Sequence, residues 1–200
     1  MRVHWASGFS FWFRAACGGI CLLVFGLGGT AVAADKAAES DTLIDYTAAD
    51  NSFSARLPGY WKVDEKRYES LGASFFGPSD YIGVFYYRAK DAAEAAQRHL
   101  LSQAMRSTIP VPIPVMPPGK DKPKPNRAAV AGHQAWETSI VTSMPAMHNI
   151  PAQQYQERIV VVVMKDGYFS LKASCRLPEP CTWVAFETLL ASFRPGSAVK

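Results

Sequence analysis

The stretch "YQERIVVVVMKDGYFSLKASC", residues 155–175, reads as two long strands joined by a tight turn at Lys165, Asp166 and Gly167. Ile159 to Val163 is an unbroken β-branched run with no polar residue to meet water on either face. A strand of that kind needs a layer on both sides. The hairpin therefore belongs at the centre of an antiparallel sheet, and the rest of the chain must supply two covers.

One cover follows directly. "TWVAFETLLASF", residues 182–193, opens at Thr182 and spaces Trp183, Phe186, Leu190 and Phe193 along one helical face, stopping before Pro195 and Gly196. The other lies upstream, in "DAAEAAQRHLLSQAM", residues 91–105. Asp91 is suited to cap that helix with Glu94 three positions on, and Ala93, Ala96, Leu100 and Ala104 make its stripe. His99 lies beside the stripe and reads as a partly exposed helix residue.

Other strands surround the hairpin. In "FSARLPGYWKVDEKRY", residues 53–68, Phe53, Ala55 and Leu57 alternate with polar residues, Pro58 and Gly59 turn the chain, and the second half reads as the paired strand. "GASFFGPSDYIGVFYYR", residues 72–88, holds two strands around Gly77 to Asp80, the second with apolar residues on both faces. A further strand runs from Gly132 to Val141. The predicted architecture is α+β: an α/β/α sandwich with a central antiparallel sheet of about six to seven strands and helices on both faces.

The N-terminus has a basic lead-in at Arg2 and Arg14, an apolar run over residues 15–29 and small residues at "AVAAD", the pattern of a signal peptide over residues 1–34. The competing reading is a retained anchor at residues 15–34, which at about 1.5 Å per residue just crosses a bilayer core. Residues 35–42 read as a flexible leader, 43–194 as one domain and 195–200 as a tail. Export places the chain in the periplasm or outside the cell. Losing Arg2 and Arg14 takes Lys plus Arg from 21 to 19 against 17 acids, a net charge of +2, and no nucleic-acid partner is expected.

Cleavage also removes Cys17 and Cys21 and leaves Cys175 and Cys181, six positions apart, in an oxidising compartment. A disulfide between them is expected, at the junction of the last strand and the last helix. An exposed, exchangeable bond is the alternative. The ring is short, so its contribution is only about 2 kcal/mol.

Between helix and sheet lies "STIPVPIPVMPPGKDKPKPNR", residues 107–127, with seven of the chain's 14 prolines. It can form neither helix nor interior strand. Its first half is apolar (Ile109, Val111, Ile113, Val115) and its second basic (Lys120, Lys122, Lys124, Arg127), which suits docking to a partner with an acidic surface. The bland reading is a loop folded over its own domain.

Taken in order, "FSARLPGYW", "ASFFGP", "YIGVFYY", "AGHQAWET" with its Gly-x-x-Ala, "YFSLKAS" and a closing "ASF" resemble the PsbP/Mog1-like superfamily over most of residues 43–194. The resemblance implies a non-catalytic accessory domain that works through protein contacts in the cell envelope, with no cofactor. It carries no binding residue over to this chain. The proline-rich insertion and the Cys175 to Cys181 turn depart from the family pattern.

No Gly-x-Ser-x-Gly elbow, His-Glu-x-x-His, Walker loop or dinucleotide fingerprint occurs, so no catalytic residue is assigned and a hydrolase is the remotest reading. The alternative function is soft-metal binding. Met144, Met147 and His148 in "SMPAMHN" offer thioethers and an imidazole, a set that suits Cu(I), although methionines also serve as pliable apolar contacts. The aromatic residues Trp61, Phe75, Phe76, Tyr81, Phe85, Tyr86 and Tyr87 read as core, or as a ligand cleft if several share an open concavity.

Overall fold

In the computed structural model, which describes residues 42–65, 71–78, 80–110, 125–147 and 150–199, ten strands, two helices and a closing 3-10 turn follow one another. They are β1 (Leu43–Thr47), β2 (Phe53–Pro58), β3 (Lys62–Asp64), β4 (Leu71–Phe76), β5 (Asp80–Arg88), α1 (Ala92–Ala104), β6 (Arg127–Val130), β7 (His133–Met144), β8 (Gln153–Val163), β9 (Gly167–Leu177), α2 (Val184–Ser192), β10 (Arg194–Pro195) and the turn Ser197–Val199. Seven strands form one antiparallel sheet in the order β3-β4-β5-β9-β8-β7-β6, and β1-β2-β10 form a small second sheet. The fold is α+β.

The central hairpin forms as its sequence predicts, with β8 and β9 in the interior of the large sheet. Pairing of Val160 with Leu171 and of Val162 with Phe169 sends these four side chains to one face, while Ile159 and Val161 point to the other. The β-branched run is thus consumed by two separate cores. On the first, Val160, Val162, Phe169 and Leu171 pack with Phe53, Ala55 and Leu57 of the small sheet and with Phe186, Leu189 and Leu190 of α2. On the second, Ala96 and Leu100 of α1 sit on Trp136, Ile140, Ile159, Val161 and Tyr168. A Cβ at Gly167 would lie 2.2 Å from the Tyr87 carbonyl oxygen, so the hairpin meets β5 only because that residue is glycine.

Several expectations are corrected. The strand after Pro58–Gly59 does not pair with β2: β3 joins β4 in the large sheet, and β2 is flanked by β1 and β10. The turn at Pro58 to Trp61, closed by the Trp61 N–H donating to the Pro58 carbonyl, carries the chain from one sheet to the other and buries Trp61 on the way. Asp91 caps α1 as expected, accepting the Glu94 N–H, but the buried stripe is Ala92, Ala96, Gln97, Leu100 and Ala104, with Ala93 only half-buried beside it. Helix α2 begins at Val184, with Trp183 at the cap position and no side-chain cap from Thr182. The stretch read as a tail contributes Pro195 to β10 and buries Val199 in the first core.

Strand β6 also went unread. Its hairpin with β7 turns through Ala131 (φ 52°) and Gly132 (φ 82°), a two-residue turn of the primed kind. An alanine there hid the turn, since asparagine or glycine is the usual signal. The expected signal segment and anchor, residues 1–34 and 15–34, lie outside the described residues. Among those described, no helix is long and apolar enough to cross a membrane.

Candidate functional site

The described ends of the proline-rich stretch both bond to the outer edge of β7. Strand β6 covers only the start of that edge, pairing with it through Ala135 and His133. Further along, Asn126 imitates a strand: its Nδ2 donates to the Glu137 carbonyl at 2.8 Å, and its Oδ1 accepts from the Glu137 N–H at 2.9 Å. Four residues on, the Thr108 N–H donates to the Val141 carbonyl at 2.7 Å, and the Ser107 hydroxyl accepts from the Val141 N–H. Both ends of the segment are therefore moored about 13 Å apart, four strand residues at roughly 3.3 Å each.

Of the residues assigned to docking, Val111, Ile113, Val115, Lys120, Lys122 and Lys124 lie outside the described residues, and Ile109 is half exposed. Arg127 is engaged at home. It pairs with Glu137 and with Glu187 (2.9 Å), and Arg158 pairs with the same two carboxylates at 2.6 and 2.7 Å. This quartet joins the end of the loop, the sheet and the first turn of α2. The Arg158 guanidinium also lies over the rings of Trp183 and Phe186. Burial pushes the Glu187 carboxyl up, but hydrogen bonds from Arg158 and Arg127 outweigh it and hold the group below the usual carboxylate range.

The metal reading places Met147 at the tip of the β7–β8 hairpin, 57% exposed and bonded through its backbone to Ile150, with Met144 half-buried at the strand end. His148 lies outside the described residues. No group of three or more His, Cys, Asp or Glu suited to a metal occurs among the described residues. The Cys175–Cys181 disulfide is present, its Cα atoms 5.8 Å apart, and it ties the end of β9 to the approach to α2. Opposite Cys175, burial and then the nearby Glu179 charge raise the Asp80 carboxyl.

The aromatic residues divide by face. Trp61, Phe75 and Tyr86 are core, whereas Phe76 is 44% exposed, with Tyr81, Phe85 and Tyr87 half-buried on the α1 side of the sheet. Helix α1 sits over β7, β8 and β9, so the expected cover over this face of β5 is incomplete. At its margin His99 packs against the stacked rings of Tyr87 and Tyr168, centroids 5.4 and 5.5 Å away, with Nε2 3.1 Å from the Ser170 hydroxyl. A hydrolase would use such a Ser–His pair, but Ser170 is only 5% exposed and no carboxylate holds the imidazole among the described residues. The contact packs α1 on β9.

Burial, then the Lys172 charge, lowers the His99 pKa. The folded state therefore binds less proton there than the unfolded chain does. Its contribution is full above about pH 6.5, the ordinary value, and is lost as the pH falls through the lowered one. The urea midpoint is expected to fall between pH 7 and pH 5, and His99→Gln is expected to flatten that slope. An unchanged slope in the variant would assign the effect elsewhere.

Comparison with family models finds no match, and comparison with curated protein sequences finds none. Among solved structures, the chain is similar to a crystal structure from Bacteroides thetaiotaomicron, at 11% identity and a TM-score of 0.44. That match covers 76% of this chain and 47% of the other, so the chain spans about half the length of that protein. It is also similar to the solution structure of cyanobacterial PsbP (CyanoP) from Synechocystis, at 12% identity and a TM-score of 0.35, covering 85% of this chain and 97% of that one.

Proposed function

We propose that this protein is an exported, non-catalytic binding or assembly-accessory module that meets a protein partner of the cell envelope through the segment at 107–127. One observation carries the reading: both ends of that segment are moored to the same strand edge, by Thr108 and Ser107 at Val141 and by Asn126 at Glu137. The 17 residues between these bonds have an apolar half and a basic half, a composition that suits docking to a partner. The disulfide fits an oxidising compartment.

A cross-linked pull-down from envelope extract tests this, with the intact protein beside a form in which residues 109–125 are replaced by a short Gly/Ser linker. A partner captured by the intact form and lost with the linker is the expected result. Equal capture by both folded forms would move recognition to the sheet or the helices, and capture by neither would remove the reading. Soft-metal binding at Met144, Met147 and His148 is the second reading, favoured by the exposure of Met147 at the hairpin tip. Equal Cu(I) affinity of the protein and of its Met147→Leu variant would dispose of it.

A further inference from the structure

A second surface lies on the small sheet. Phe53, Ala55 and Leu57 point inward, so the alternate residues Ser54 and Arg56 face outward. Register extends that face. Arg56 is opposite Asp45, and Ser54 lies between Thr47 and Arg194. Arg56 and Arg194 are thereby diagonal neighbours on one solvent face. They line a groove of about 670 Å³ whose far wall is α2, from which the Ser192 hydroxyl accepts the Arg56 N–H at 2.8 Å. The volume is that of a site for a small molecule or a few peptide residues.

The chemistry of the lining is selective. Its charged members are Arg56, Arg194 and Asp45, two cations against one anion, and its other polar side chains are hydroxyls. Arg56 gives only Nε to Asp45, at 2.9 Å, and Arg194 gives only Nη1, to the Phe193 carbonyl at 2.7 Å. The remaining guanidinium donors have no partner among the described residues. Two open forks beside hydroxyls recognise carboxylates.

The spacing narrows the ligand further. Diagonal residues on adjacent strands are about 7–8 Å apart, and alternate residues of an extended chain repeat at about 6.6 Å. Two carboxylates on alternate residues of an extended peptide match two such arginines, whereas a single phosphate would need both side chains to converge. We propose that this groove binds an extended acidic peptide, with one carboxylate on Arg56 and the second on Arg194. The site is independent of the segment at 107–127, so either can fail without the other.

The test is fluorescence anisotropy with the labelled probe acetyl-Glu-Val-Glu-Val-Glu-amide, its Lys-for-Glu counterpart and inorganic phosphate as competitor. The acidic probe is expected to bind and the lysine probe not to. R56Q and R194Q are each expected to weaken binding about tenfold, and D45N, which removes the one carboxylate lining the groove among the described residues, to strengthen it severalfold. Unchanged thermal melting of all three variants keeps folding out of the comparison, since Arg56 and Asp45 are an exposed pair with side chains 59% and 83% accessible. No binding of the acidic probe at about 1 mM, or equal binding by the R56Q/R194Q double variant, would overturn the site. Phosphate displacing the probe at an affinity equal to its own would overturn the peptide and leave a simple anion site.

Discussion

Phe53→Ala is expected to lower the unfolding free energy by about 3–5 kcal/mol, the range for deleting a fully buried aromatic side chain. Phe53 is 0% exposed and touches rings from four directions: Tyr46 at 5.8 Å, Phe75 at 6.4 Å, Phe169 at 6.3 Å and Phe193 at 5.9 Å between centroids. Those partners belong to β1, β4, β9 and the end of α2. The ring is therefore the common contact of the small sheet, the large sheet and the C-terminal helix. None of these elements can close over the vacancy without leaving another, so little relaxation is expected. A drop in urea midpoint at constant slope would report the loss. A loss under about 1 kcal/mol would mean that the small sheet is not integral to the core.

The second large effect is expected at Lys172. On the α1 face, Lys172 Nζ pairs with Glu157 Oε1 at 2.9 Å, and the Thr142 hydroxyl donates to the same oxygen at 3.2 Å. The Glu157 side chain is only 6% exposed, and its Oε2 has no partner among the described residues. Lys172→Met would strand a buried carboxylate whose cation partner among the described residues is gone, at a cost of about 3 kcal/mol, the lower end for a broken buried pair because Lys172 keeps some water. The double variant with Glu157→Gln is expected to recover most of that loss, since an amide bears burial far better than an unpaired charge. Additive losses in the double-mutant cycle would refute the coupling. The same replacement removes the charge that helps to lower the His99 pKa, so the acid sensitivity described above should move toward the ordinary histidine range.

Some of this could be read in advance because the chemistry is local. The β8–β9 hairpin follows from a β-branched run and a Lys165-Asp166-Gly167 turn, and the alternation at Phe53, Ala55 and Leu57 survives intact in β2. The disulfide follows from two cysteines too close for much else. The mispairing of β3 has the opposite origin. Proline and glycine at 58 and 59 announce a turn, but whether the chain then returns to its own strand or leaves for another sheet depends on where Trp61 finds a pocket. Strand β6 and the two-residue β10 carry too few residues for any periodicity to register.

The candidate sites divide in the same way. The proline-rich segment stands out by composition alone, yet nothing local indicates that Asn126 would take the place of a strand at Glu137 or that Arg127 would join a quartet with Glu137, Arg158 and Glu187. Those partners are 10 to 60 residues away. The groove was illegible for the same reason, since Arg56 and Arg194 are brought together only by the pairing of β10 with β2.

From its sequence alone, this chain determines the class of its fold, the two-sided centre of its sheet, the covalent clip at Cys175 and Cys181 and the oddity of residues 107–127. Periodicity, turn geometry and cysteine chemistry all act over a few bonds. Only the tertiary structure decided which strands pair, which arginines are spoken for by carboxylates and which face water unpartnered. Pairing and charge neutralisation are settled by contacts between residues far apart in the chain, and their free energies depend on burial that no segment possesses before the whole has folded.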